Sequence, residues 1–305
     1  MDLRQELNKR LEDIKKVYEV EKILNRPTAN QAVARYYKLN RATYYFLHSR
    51  AGFVHMGLSQ KGVFSKSDYL GQAKIISEYI DSLKAESVLE LGAGKGANLV
   101  YLARRHPNVS FQGLDLKEGQ FKLGTFKDTS NVNVKFGDYR NLSSFSASSV
   151  DIIYMVEALC YAQDKGQVLK QIHRVLKPGG IIIVFDGYIN LPFKAMAPQE
   201  SLAIKLVLKS FVVGFEDQCY PVFKEKFKEN GFKILVTNNL DKAIRPSIVR
   251  LEKNARWFFK KPKLMKAVNS LVPDEIAANG IAVYLLPLTT DLGLGSYYLT
   301  VARKI

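Results

Sequence analysis

Two hydrophobic periods divide the chain. Leu3, Leu7, Leu11, Ile14 and Tyr18 recur at three- and four-residue spacing, one face of a helix over 3–24 that Asn25 and Pro27 end. Its other face mixes signs (Lys9, Glu12, Asp13, Lys16), unlike the basic face of a membrane-surface helix, so it is expected to pack on the body as an N-terminal arm. Residues 31–49 form a second helical stretch, rich in tyrosine (Tyr36, Tyr37, Tyr44, Tyr45). From 87 to 186 the pattern alternates strand with helix. Apolar runs end in glycine or acid: VLELG at 88–92, VSFQGLD at 109–115, VDIIYMV at 150–156 and IIIVFD at 181–186. Between them, Val168, Leu169, Ile172, Val175 and Leu176 share one side of a helix. Continuous apolar runs suit strands buried on both faces, hence an α/β fold with a parallel, doubly wound sheet. FKILV at 232–236 and SYYLTVARK at 296–304 supply the last two strands. The division expected is an N-terminal helical arm and lid over 1–80 and a sheet domain over 81–305. Apolar helical insertions at about 190–218 and 241–288 would cap the carboxyl ends of the strands.

Composition narrows the class. A chain of 305 residues, 47% hydrophobic and 24% charged, buries a full core and matches an ordinary globular protein. Two cysteines, Cys160 and Cys219, make no disulfide framework and point to a reducing, cytoplasmic setting. The start, MDLRQELNKR, lacks the apolar stretch of a signal peptide. The most apolar segment, IAANGIAVYLLPL at 276–288, is too short to cross a bilayer. His48, His55, His106, His173 and the two cysteines fall at no metal-ligand spacing, so no metal is expected.

Charge adds a question. The net charge is +16, and residues 222–266 hold 13 Lys/Arg against Glu225, Glu229, Asp241 and Glu252. Such a face either attracts nucleic acid, anionic headgroups or phosphorylated small molecules, or is simply solvated. The chain lacks RGG tracts and RNP-type aromatics, which argues against a nucleic-acid-binding module. Peripheral contact with a membrane surface stays open.

The chemistry concentrates in VLELGAGKGANLVYLARR at 88–105, a buried strand, a glycine-rich turn and a helix. Gly92, Gly94 and Gly96 allow a tight turn and close approach of backbone to a ligand. Their G-x-G-x-G spacing differs from the G-x-G-x-x-G of dinucleotide binders. Asp115 ends the next strand, where a carboxylate can accept both hydroxyls of a ribose. Asp138, in FGDY at 136–139, follows the third strand and would sit beside an adenine. Together these fit an adenosine ligand without phosphates.

That combination resembles the class I S-adenosylmethionine-dependent methyltransferases, whose helix ending in R-x-L-K-P-G-G is matched by HRVLKPGG at 173–180. The stretch DIIYMVEALCYAQDKGQVLKQIHRVLKPGG at 151–180 resembles sterol C-methyltransferases and related isoprenoid and tocopherol methyltransferases. Here Tyr161 stands where that family usually has histidine, Gln163 where it has proline, and Asp115 where the sterol enzymes often carry an uncharged residue. The resemblance implies a Rossmann-like, mostly parallel seven-stranded sheet with S-adenosyl-L-methionine as cofactor. It places the cofactor around Tyr37, Glu90, Gly92, Ala93, Gly94, Asp115, Leu116, Asp138, Tyr139 and Glu157. Glu157 follows a buried strand at the sheet's carboxyl end, so it is a candidate to stabilise positive charge, remove a proton or orient the cofactor. Alternatively it only caps the next helix. His55 and Tyr161 are further catalytic candidates, with structural packing the alternative for His55. The apolar cap suggests a hydrophobic, lipid-like acceptor, its head anionic if cap lysines and arginines meet it. C-methylation of an isoprenoid or sterol-like lipid leads; O- or N-methylation of a quinol, phenol or amine follows. The acceptor atom and oligomeric state stay open at this point.

Overall fold

The computed structural model describes residues 2–116 and 129–305. Seven strands form one sheet: β1 (Ser87–Leu91), β2 (Ser110–Asp115), β3 (Val132–Phe136), β4 (Val150–Val156), β5 (Leu176–Ile189), β6 (Phe232–Asn239) and β7 (Gly295–Lys304). Their order is β3-β2-β1-β4-β5-β7-β6. β1 to β5 run parallel, whereas β7 pairs antiparallel with both β5 and β6. The sheet is therefore mostly parallel and Rossmann-like, and the chain order reverses between β1 and β4. Open sheets of this kind place ligands outside the carboxyl ends of the strands at such a reversal.

The apolar runs form strands because both faces of the sheet are covered. On β4, Ile152, Tyr154 and Val156 enter the core on one face, while Val150, Ile153 and Met155 enter the other. β5 alternates in the same way, with Ile181, Ile183 and Phe185 opposite Ile182 and Val184. Each such side chain contributes about 1.5–3 kcal/mol by leaving water. Helices α4 (Gly71–Leu83) and α5 (Ala97–Arg105) cover the first face. The second is covered by α6 (Lys165–Val175) and α8 (Tyr220–Glu229). Asp164 caps α6 by accepting the Gln167 N–H at 3.0 Å. The helix ends at Val175 and β5 begins at Leu176; Gly179 (φ +75°) takes up the irregularity between the Leu176 and Ile181 pairings with β4.

The N-terminal segment departs from the expected single helix. α1 (Leu3–Lys15) stops, and α2 (Val20–Leu24) starts after a turn. Tertiary contacts override the periodicity there: the Tyr18 hydroxyl donates to the Ala277 carbonyl at 2.8 Å, and its ring lies against Phe259. α3 (Asn30–Thr43) follows and ends in a π-helical turn over Tyr44–His48.

α7 (Pro198–Ser210), α9 (Asp241–Phe259), α10 (Pro262–Asn269), α11 (Asp274–Ala277) and α12 (Asn279–Asp291) complete the helices used below. Leu7, Leu11 and Ile14 of α1 pack with Ala203 and Leu206 of α7 and with Leu285 and Leu288 of α12. Within this apolar layer Arg10, only 2% exposed, pairs with Glu6 at 2.9 Å and Glu252 at 2.7 Å. Its guanidinium also lies 4.8 Å from the centroid of the Tyr284 ring and donates to the Tyr284 carbonyl. One buried cation thus ties α1, α9 and α12 together. Removing one member of a buried pair strands the other charge, so Arg10→Ala should destabilise the fold by about 3–5 kcal/mol in urea unfolding. The double change Arg10→Met/Glu252→Leu should recover most of that loss; equal loss in both variants would show that packing, not the stranded carboxylate, dominates.

Candidate functional site

The turn after β1 requires glycine at its first position. Gly92, Gly94 and Gly96 have φ of +75°, +56° and +73°, and a Cβ on Gly92 would lie 2.4 Å from the Cβ of Ala158. No L side chain fits that approach. The Asp115 carboxylate holds the turn, accepting the Gly94 N–H at 2.6 Å and the Leu116 N–H at 2.7 Å. Burial pushes Asp115 up to about 6 despite those two donors. Gly92, Gly94, Asp115, Leu116, Asp138 and Tyr139 line one cleft. Asp138 is fixed by Arg140 at 2.6 Å, and Asn30 at the start of α3 donates to it across the cleft at 2.6 Å. The Tyr139 hydroxyl donates to the Ala158 carbonyl at 2.9 Å, joining the turns after β3 and β4.

Beside the cleft lies a cavity of about 470 Å³. Ile204, Val207 and Leu208 of α7, Leu251 and Phe258 of α9, and Val283 and Leu286 of α12 form its apolar walls. Tyrosines furnish another side: Tyr36 and Tyr44 share a hydrogen bond of 3.0 Å, as do Tyr37 and Tyr161. Glu157 and Asp186 also face it, and among the described residues no lysine or arginine lines it. An anionic head would therefore have to find its cations outside this chamber.

Four residues, Tyr37, Val54, Glu157 and Tyr161, line both spaces and form the boundary between them. Glu157 sits at φ +49°, a left-handed backbone that costs of order 1–3 kcal/mol and clusters at functional sites. Its N–H donates to the Phe185 carbonyl at 2.8 Å, and Oε1 accepts the Met56 N–H at 2.7 Å. Burial pushes its pKa up to about 8, with Asp186 adding to the rise and the Met56 N–H opposing it. Asp186 accepts the Cys160 and Gly187 N–H groups at 2.8 and 2.9 Å, and burial raises it to about 6. Carboxyl groups so placed exchange protons in the neutral range, as general acids and bases do.

Three expected site residues lie outside both spaces. His55, 3% exposed, packs its ring against Phe53 and is within hydrogen-bond reach of the Met56 carbonyl, so its ring lines neither space. Ala93 turns into the core on the α5 side of the sheet. Glu90 is buried beneath the glycine turn, where Asn98 donates to Oε1 at 3.3 Å and burial raises it to about 8. The buried Tyr154 hydroxyl is its other polar neighbour. The structure also brings in residues that sequence reasoning passed over. His48, on the π-helical turn, lines the chamber in place of His55, and burial lowers it to about 4, keeping the imidazole neutral. Such turns recur at functional sites. Asp186 carried the same signal as Asp115, an acid closing an apolar run, and was readable in principle. His173, next to the R-x-L-K-P-G-G match, packs on Phe232 far from either space.

Residues 89–184 match the family described as "Methyltransferase domain". The chain is 26% identical to the O-methyltransferase resE of Aspergillus sclerotiorum over 237 residues, 75% of this chain and 86% of that protein. It is 23% identical to 24-methylenesterol C-methyltransferase 2 of Oryza sativa over 215 residues, 68% of this chain and 57% of that one. The fold superposes on the geranyl diphosphate C-methyltransferase of Streptomyces coelicolor A3(2), solved with Mg2+, geranyl diphosphate and S-adenosyl-L-homocysteine. There the TM-score is 0.59 at 17% identity, covering 92% of this chain and all of that one. With the glycine turn, the acid-ended strand and the 3-2-1-4-5-7-6 sheet, these likenesses show that residues 89–184 are a methyltransferase domain and that the chain is an S-adenosylmethionine-dependent methyltransferase.

Proposed function

We propose that the enzyme C-methylates an uncharged, isoprenoid or sterol-like lipid held in the apolar chamber, at the boundary formed by Glu157, Tyr37 and Tyr161. The observation that carries this reading is the boundary itself: an adenosine-type cleft and a chamber walled by aliphatic and tyrosine side chains meet at one carboxyl group. S-adenosyl-L-methionine, when bound, supplies an electrophilic methyl group. Asp115 would hold the ribose, Asp138 and Tyr139 would flank the adenine, and the backbone of Gly92 and Gly94 would admit the rest. Glu90, buried next to the turn and held by Asn98, would orient the cofactor's amino group through the turn.

The remaining chemistry falls to the chain's own residues. An alkene that gains a methyl group becomes cationic and must shed a proton. The rings of Tyr37, Tyr44 and Tyr161 present negative faces that stabilise positive charge by about 0.5–2 kcal/mol each. Glu157, ionised, stabilises the same charge and accepts the proton. The absence of lysine and arginine from the described lining favours this reading over a diphosphate acceptor such as the one bound by the Streptomyces neighbour. A second reading, O-methylation of a hydrophobic phenol or quinol, is supported by the fungal relative and by the position of Glu157, which could take a hydroxyl proton. Labelled methyl donor and product mass spectrometry with NMR assignment of the new methyl separate carbon from oxygen. No helix among the described residues is long and apolar enough to cross a membrane.

Two measurements test these roles. Asp115→Ala removes charge-assisted hydrogen bonds, so calorimetry should show cofactor binding weaker by about 1.5–3 kcal/mol; unchanged affinity would remove the ribose role. Glu157→Gln keeps the size but loses the charge and basicity, and kcat should fall about 100- to 10,000-fold with cofactor affinity preserved. A base works only when deprotonated, so with Glu157 raised to about 8, wild-type kcat should climb with pH up to about 8 and then level. The glutamine variant should lack that limb. Wild-type turnover in the variant, or lost cofactor binding with kcat restored at saturation, would end the assignment of Glu157 to proton transfer.

A further inference from the structure

The chamber meets solvent beside the π-helical turn. Leu47, Asn254 and Val268 line it and are themselves exposed, so it opens between the π-helical turn and α10. Large apolar side chains stand out into water around this opening. Phe46 is 68% exposed and Leu271 84%, with Trp257 and Leu264 about half as accessible as free chains at 49% and 42%. Leu264 and Val268 are one helical turn apart and Leu271 follows by three, so they share a face of α10 and its extension. Met265 and Asn269, on the other side of the same helix, line the chamber. α10 is thus apolar both toward the cavity and toward the outside.

The charge around this rim has one sign. Residues 253–273 contain six Lys/Arg and no acid. Arg256 pairs with Glu252 at 2.8 Å, and the Lys261 ammonium lies 3.9 Å from the Trp257 ring centroid. Among the described residues no ion pair engages Lys253, Lys260, Lys263 or Lys266, all exposed. A merely solvated face would mix signs and keep its large apolar side chains inside. Protruding leucine, phenylalanine and tryptophan among unpaired lysines match an interfacial surface, where apolar groups enter the boundary between headgroups and acyl chains while cations meet anionic lipid.

We propose that this rim, the tip of the π-helical turn with α10 and Leu271, docks on an anionic lipid bilayer and sets the chamber mouth against it. A lipophilic acceptor then passes from bilayer to chamber without crossing water. That last consequence rests on the proposed acceptor class, whereas the docking itself does not.

The test uses the full-length chain and flotation with vesicles of phosphatidylcholine alone or mixed with phosphatidylserine, at low and high salt. Wild type should float with the mixed vesicles at low salt, release as salt rises, and stay unbound with phosphatidylcholine alone. Leu264→Glu/Leu271→Glu and Lys260→Glu/Lys263→Glu/Lys266→Glu alter only exposed positions, so thermal melting and cofactor affinity should match wild type. Each lysine near an anionic surface contributes about a fivefold gain in partition, so the triple reversal should lower vesicle binding by about a hundredfold or more. The leucine variant should lose binding at every salt concentration. Wild type that fails to float, or a leucine variant that floats as well as wild type, overturns the proposal. So does sedimentation showing a dimer that the leucine substitutions dissolve, which would assign the rim to a second copy, or tight binding of RNA with none to vesicles. Intact cofactor binding in a chain that does not float would leave the methyltransferase reading standing and remove the docking alone.

Discussion

At the reversal of strand order the turn after β1 and the turn after β4 come so close that only a hydrogen atom fits on Gly92, opposite the Cβ of Ala158. Much of the site follows from that approach. The glycine turn runs through it in a left-handed backbone, with the Gly94 N–H on Asp115 and the turn lining the cleft. The approach also fixes the residue just before Ala158, so Glu157 takes a left-handed conformation of its own and its carboxyl group stands between cleft and chamber. Two strand ends packed to contact place ligand and carboxylate side by side, and the buried apolar layers on both faces keep them from spreading apart.

The molecule segregates its charges around this point. Asp115, Glu157 and Asp186 are acids held in poorly solvated surroundings, each raised toward neutrality because burial disfavours the anion. The chamber offers them no lysine or arginine among the described residues, and tyrosine rings and hydroxyls stand there instead. Such a lining suits positive charge that appears only during reaction, and the nearest buried cation, Lys165, acts on Asp186 from outside the chamber lining. The surplus of lysine and arginine lies outside, much of it on α9 and α10, where water and counterions surround it. Two cations are buried: Lys165, whose ammonium donates to the Ala162 carbonyl at 3.2 Å, and Arg10, whose two glutamate partners and the Tyr284 carbonyl make it a tie between arm and roof.

What could be read from the sequence was whatever depends on neighbours along the chain. Four runs of Val, Ile and Leu closing in glycine or acid declare strands buried on both faces, and such strands in parallel leave few topologies. The β1 turn, Asp115 and Asp138 follow from local spacing, because they stand at consecutive strand ends. Tertiary structure decided the rest. Periodicity carries one helix through 3–24, but Tyr18 anchored on Ala277 breaks it. His48 and His55 are seven residues apart on one irregular segment, and nothing local says which faces a cavity. The choice is made by the π-helical turn and by Phe53 packing on the His55 ring. Ala93 and Glu90 belong to the motif by sequence but point beneath the turn, a matter of backbone twist that spacing does not encode. The chamber is the clearest case. Its walls come from α3, α7, α9, α12 and β7, segments up to about 250 residues apart, and its missing cations are known only once those segments pack. Hydrophobic period fixes which face of each element is buried, whereas which faces meet depends on long-range packing that no window of the chain contains.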